Sequence, residues 1–204
     1  MKRRSIFLLH AAVLFGGCVC FGQRDAAYDT VAPLRANSFT DQVYVGFDHI
    51  RTDYALVTAS GDEVATMNGV NVEVDVRHRE HISYIASVRY GMGSPFNQSL
   101  MTGTAGASYL FHLKRYEPYV HALGGYTRLQ SNHSAGGMYL LNVNSGLTMV
   151  GGAGLDVKLS DRWGVRAISL EDVFLPFGSG RSTYWSVGAG VLYHFGRRHG
   201  VEGQ

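Results

Sequence analysis

Four valines constrain this chain more than any other feature. Val70, Val72, Val74 and Val76 take every second position, and Asn71, Glu73, Asp75 and Arg77 take the positions between and after them. Successive side chains of a strand point to opposite faces. An unbroken period of two therefore makes this segment a β-strand with one apolar surface and one polar or charged surface. The polar turn His78-Arg79-Glu80-His81 reverses the chain. In the second limb Ile82, Tyr84, Ala86, Val88 and Tyr90 alternate with Ser83, Ile85, Ser87 and Arg89. The two limbs read as one hairpin of about nine residues a side, long enough to cross a bilayer at the usual strand tilt.

The same alternation recurs along the chain and predicts eight strands, over residues 42–51, 68–77, 82–90, 101–112, 118–128, 147–158, 163–173 and 182–195. In the fifth, Val120, Ala122, Gly124 and Tyr126 are expected outward. In the seventh, Arg166 is expected inward. The connections at 52–66, 91–100, 129–146 and 174–181 are long, and those at 78–81, 113–117 and 159–162 are short. In a barrel made of successive hairpins, all long connections then fall on one rim, and short turns with both termini on the other. That is the organisation of membrane barrels, with extracellular loops and periplasmic turns. The fold class expected is all-β, an eight-stranded antiparallel up-and-down transmembrane β-barrel. A content of 26 Gly, 12 Tyr and 10 Phe against four Pro suits such a closed sheet.

The first residues follow a different rule. Lys2, Arg3 and Arg4 precede an apolar run from Ile6 to Phe21, and Gly22 follows. This is the form of a secretory signal peptide, expected over residues 1–22. An alternative is acylation at Cys18, in Leu14-Phe15-Gly16-Gly17-Cys18. Both cysteines, Cys18 and Cys20, lie in this leader, so cleavage at Gly22 leaves no thiol and no disulfide framework. The leader also carries three of the 18 basic residues, which leaves 15 against 16 acidic ones. The basic balance is thus the leader's, and no clustered patch suggests nucleic acid. A lead-in is expected over 23–41, the barrel over 42–195 and a short periplasmic tail over 196–204. No run of about eighteen apolar residues follows Gln23, so no membrane-spanning helix is expected.

Alternation does not say which face meets lipid; the aromatics do. Tyr84, Tyr109, Phe111, Trp163, Tyr193 and Phe195 stand beside the short turns or the end of the last strand, and Tyr90, Tyr126 and Trp185 beside the long connections. Two aromatic rims around an aliphatic band mark a bilayer-spanning surface. The other parity carries Asp48, Glu73, Asp75, Arg77, Arg89, Asp156, Lys158 and Arg166. One Lys or Arg facing lipid at the midplane costs about 2–4 kcal/mol, so these groups belong inside. An eight-stranded interior is just wide enough for side chains, so the charges are expected to plug the tube. The competing reading is a secreted, soluble, lipocalin-like barrel with an apolar ligand inside.

The segments Tyr119–Tyr126 (YVHALGGY), Gly151–Leu159 (GGAGLDVKL) and Gly188–Phe195 (GAGVLYHF) resemble the OmpA/OmpX-like outer-membrane β-barrel superfamily, in its branch of small porin-family proteins. The resemblance covers residues 42–195. It implies an outer-membrane location, with Gly190-x-x-Tyr193-x-Phe195 similar to the signal read by the outer-membrane assembly machinery. The tail after Phe195 departs from relatives that end at the aromatic. It is also too short for the peptidoglycan-binding domain of larger ones.

No catalytic, cofactor-binding or metal site is expected. His78, Glu80 and His81 share a turn but lack the spacing that converges ligands on zinc. Asn132-His133-Ser134 offers a base and a hydroxyl without an evident third member. Gly151-Gly152-Ala153-Gly154 continues a strand and opens no helix, unlike a dinucleotide fingerprint. The sequons at Asn97 and Asn132 read as chance. The expectation is a monomeric, non-enzymatic outer-membrane barrel with an envelope-structural, adhesive or limited porin-like role. The lipid bilayer is its constant partner, and its long loops face any extracellular ligand.

Overall fold

A computed structural model describes residues 39–52, 65–94, 98–113, 115–135, 138–175 and 182–199. The segment expected to be a signal peptide, most of the expected lead-in and Asn97 lie outside the described residues. Eight strands are present: β1 (Phe39–Thr52), β2 (Ala65–Arg77), β3 (Ile82–Ser94), β4 (Gln98–Leu110), β5 (Tyr116–Ala135), β6 (Met138–Lys158), β7 (Trp163–Leu175) and β8 (Ser182–His199). Each pairs antiparallel with its sequence neighbour, and β1 pairs with β8, so the sheet closes. No helix of the described residues is long and apolar enough to cross a membrane.

The valine rows face outward. Val70, Val72, Val74 and Val76 are exposed, whereas Asn71, Glu73 and Asp75 between them are buried. The fifth strand follows its expected parity, with Val120, Ala122, Gly124 and Tyr126 outside and His121 and Leu123 inside. Tyr84, Tyr109, Trp163 and Tyr193 are exposed near the short turns, and Tyr90, Tyr126 and Trp185 near the opposite rim. Trp163 meets Tyr193 edge-on at 4.9 Å, and Tyr109 meets Phe111 at 5.0 Å. An apolar exterior and a polar interior form a transmembrane barrel.

Three expectations need correction. The connections at 91–100 and 129–146 are largely strand: β3 and β4 pair as far as Gly93↔Gln98, and β5 and β6 as far as Ala135↔Met138. The β5–β6 ribbon outruns its neighbours, since β4 leaves β5 at Gln130 and β7 leaves β6 at Met149. Beyond the paired wall nothing requires one apolar and one polar face, so the period-two signal in the sequence is not imposed there. The barrel also extends past both expected limits, because Phe39 of the lead-in pairs with His199 of the tail. Finally, β7 carries a bulge. Arg166 faces Gly190 of β8 and Ser169 faces Gly188, so β7 holds one residue more than its partner, and Ala167 and Ile168 both face out. One inserted residue reverses every later parity.

Glycines on the inner face make room for large neighbours. A methyl built on Gly154 would stand 2.4 Å from the Tyr119 hydroxyl, and one on Gly46 would overlap the ring of Tyr44. On the outer face a methyl at Gly151 would meet nothing within 4 Å. Gly154→Val is therefore expected to abolish folding into lipid vesicles while Gly151→Val folds as the parent does, read by heat-modifiable gel migration. Equal behaviour of the two would show that the inner face is not close-packed.

Candidate functional site

Among the described residues the lumen gathers most of the buried ionisable side chains, and it is built in layers. Toward the short turns Arg166, only 2% exposed, receives two carboxylates. Its Nε and Nη2 donate to Asp156 Oδ1 and Oδ2 at 2.8 and 3.2 Å, and its Nη1 donates to Glu73 Oε2 at 2.7 Å. The guanidinium lies between the rings of Tyr44 and Tyr119, 4.3 and 4.4 Å from their centroids. Asn71 Nδ2 donates to the other oxygen of Glu73, and the Tyr119 hydroxyl donates to Ser169.

A second arginine repeats the arrangement. Arg89 Nε donates to Asp48 Oδ2 at 2.5 Å, and its Nη2 donates to Glu171 Oε2. Ser186 also donates to Glu171, and His121 Nε2 stands 3.6 Å from Glu171 Oε1. Toward the rim opposite the short turns the interior becomes apolar, with Ile50, Met67, Leu100, Leu129, Val173, Leu175 and Tyr184 in one buried cluster. Charge pairs and hydrocarbon together fill the tube.

Of the eight charges assigned to the lumen, Asp48, Glu73, Asp75, Arg89, Asp156 and Arg166 are buried, and Arg77 and Lys158 are half-buried. The sequence reading missed Glu171. Counting by two from Arg166 sends it outward, and only the bulge brings both residues inside. It also missed Tyr44 and Tyr119, which the pattern marks as inward but whose role as a clamp depends on cross-barrel geometry. The apolar plug has no local signature, because Ile50 and Met67 sit on the polar parity.

At the short-turn rim Arg77 Nη2 donates to Glu117 Oε2 at 2.8 Å. His112 sits in the β4–β5 turn with each ring nitrogen against an acceptor. Nδ1 faces Glu117 Oε1 at 3.3 Å and Nε2 faces the Glu80 carbonyl at 2.5 Å. Two acceptors call for two N–H groups, so the imidazolium is favoured. The hydrogen bond to Glu117, and behind it the one to Glu80, holds the His112 pKa above its usual value.

The remaining polar candidates named from the sequence lie apart from the lumen. His81 Nδ1 bonds to the Leu110 carbonyl and its ring stacks on Tyr109. Among the described residues no group of three His, Cys, Asp or Glu is placed to hold a metal ion. Asn132, His133 and Ser134 lie on the outer ribbon, paired with Leu141, Leu140 and Tyr139. Gly151 to Gly154 run within β6.

Two solved structures match this geometry over nearly their whole length. Neisserial surface protein A superposes with a TM-score of 0.58 at 12% identity, covering 76% of this chain and 97% of its own. Ail, the attachment invasion locus protein of Yersinia pestis, superposes at 0.56 with 15% identity, covering 78% and 99%. The chain has the fold of the small outer-membrane β-barrels. No family model matches the sequence, and no curated protein does. At these identities the likeness is one of backbone.

Removing one member of a buried charge cluster leaves its partners uncompensated, at a cost of about 3–5 kcal/mol. Arg166→Met strands Asp156 and Glu73 and is expected to lower unfolding stability in lipid by about that amount. The triple replacement of Arg166, Asp156 and Glu73 by apolar residues should recover most of the loss. Urea titration followed by tryptophan fluorescence checks both. The raised His112 pKa favours the fold below the unfolded-state value, and that contribution is lost as pH rises through the folded-state value. The parent should therefore exceed His112→Gln in stability on the acid side of neutral, and the gap should close on the alkaline side. Melts across pH test the sign.

Proposed function

We propose that this protein is a non-enzymatic outer-membrane barrel whose lumen is structural and whose working surface is the β5–β6 ribbon. In this reading the chain is exported by its leader and inserted by the assembly machinery through its last strand. It stands as a monomer, with short turns in the periplasm and the ribbon outside. The role is envelope structure and adhesion rather than solute passage.

The observation that carries this reading is the filled interior. Two arginine clusters and an apolar plug occupy the bore at successive heights. A conducting barrel needs a continuous wet path, and an eight-stranded one has little room for it. Surface contact then falls to whatever projects, and the β5–β6 hairpin projects furthest among the described residues. Ail, one of the two structural neighbours, carries attachment in its name, which agrees with an adhesive use of this fold.

Planar-bilayer recording of purified, folded protein is the decisive measurement. Silence across the voltage range is expected for the parent, and a conductance gain for Leu100→Ser with Leu129→Ser, which opens the plug. Steady single-channel conductance in the parent would replace this reading with a porin-like one.

A further inference from the structure

We propose that the outer wall between β2 and β4 holds one anionic phospholipid of the periplasmic leaflet, an acyl chain in an apolar groove and its phosphate beside the exposed Arg79 and Arg115 of the turns beneath. The inference rests on the membrane-spanning reading above. The wall carries a groove of about 690 Å³ lined by Val74, Val76, Tyr84, Ala86, Ala105 and Ala107. It is an open depression in the wall rather than an enclosed cleft. Its origin is in the register. Val76, Tyr84 and Ala107 form one outward row across the three strands, and Val74, Ala86 and Ala105 form the next. Alanine methyls floor the groove while valine and tyrosine side chains wall it.

The low floor continues where nothing within the chain demands it. Ala105 pairs with Gly124, and Gly103 follows Ala105 on the same face. A methyl on either glycine would meet no atom within 4 Å, in contrast to the inner glycines that yield to Tyr44 and Tyr119. Glycine weakens a strand interior. A row of small residues with open space above it fits an occupant outside the chain. The exposed face is hydrocarbon-facing, so that occupant is apolar where it lies in the groove.

The periplasmic end of the groove supplies the charge. Tyr84 closes it, and the ring of His78 packs on Tyr84 at 5.5 Å. His81 stacks on Tyr109, which stands two positions beyond Ala107 on the same outward face. Arg79 is exposed between the two histidines, and Arg115 is exposed in the adjoining turn. The turns are joined by His112, which bonds to the Glu80 carbonyl and to Glu117. Glu80 is the only acid in the β2–β3 turn. Cations at headgroup depth below an apolar groove complement a phosphate ester on an acyl chain. A second copy fits less well, because a two-fold contact would set hollow against hollow.

Native mass spectrometry of the refolded full chain, released from detergent with equal phosphatidylglycerol and phosphatidylcholine, reads the result. One retained phosphatidylglycerol is expected, favoured about fivefold, as one basic side chain near an anionic surface supports. Ala105→Leu with Ala107→Leu fills the groove and should remove most retention of both lipids. Arg79→Ser should keep retention but lose the headgroup preference. Heat-modifiable migration confirms that each variant is folded. Undiminished retention in the filled variant, no preference in the parent, or a two-copy species that the filled variant dissolves would each overturn the inference. A folded chain that stays soluble without detergent would instead overturn the membrane reading itself.

Discussion

A single guanidinium ties the barrel together from within. Arg166 comes from β7, its carboxylate partners from β6 and β2, and the rings that sandwich it from β1 and β5. Five of the eight strands therefore meet at one buried cation. A charge in such a place is costly unless every partner arrives in position, because low surrounding dielectric strengthens both the attraction and the penalty for missing it. The partners arrive only when the sheet has closed with β1 on β8 and each ladder in register. A slip of one residue on β2 would send Glu73 into lipid and bring a valine inside. The network thus acts less as a store of stability than as a test of register, reinforced by the cost of charge on the lipid-facing side.

The outer surface is permissive for a reason of solvent. Valine, alanine and leucine are nearly interchangeable against acyl chains, so lipid selects only against charge and places aromatic rings at its boundaries. Inside, volume is fixed, and size is settled pair by pair: Gly154 beside Tyr119, Gly46 against the ring of Tyr44. Specificity and tolerance lie on opposite faces of the same strands. This inverts the usual arrangement of a soluble barrel, in which the apolar side is the packed one.

Strand number, pairing order and the facing of nearly every strand were legible in the sequence, because period-two alternation survives wherever one side meets lipid and the other a polar core. Three features were not legible, each for its own reason. The bulge at Ala167 is a backbone event whose only trace is that Arg166 and Glu171, of opposite parity, both end inside. The apolar plug of Ile50, Met67 and Leu129 occupies inward positions near the rim, where a polar residue would have read the same in an alternation count. The ribbon beyond Gln130 escaped because alternation reports an asymmetric environment, and above the wall there is none. The arginine clusters lie between these cases. Their members were visible as inward charges, but which acid serves which base depends on partners up to 93 positions apart.

Backbone hydrogen bonding sets a limit on where hydrocarbon can reach. Below Gln130 on β5 and Met149 on β6, each strand has a described neighbour on both sides; above them the two pair only with each other among the described residues. A strand edge with unpaired N–H and C=O groups is not tolerated in lipid, where no water can satisfy them. On the β5–β6 ladder Gln130 stands opposite Val143 and Met149 opposite Gly124, so the described wall steps down by six residues between its β4 side and its β7 side. The exposed ring of Tyr126 lies four residues below Gln130, beside Leu147 across the ladder, at the depth where an interfacial aromatic belongs. Amide pairing and aromatic partition thus bracket one region of the wall, with the Tyr126–Leu147 pair between the two steps. The ribbon above it is long because nothing in water prevents it, and the wall below it is closed because lipid permits nothing else.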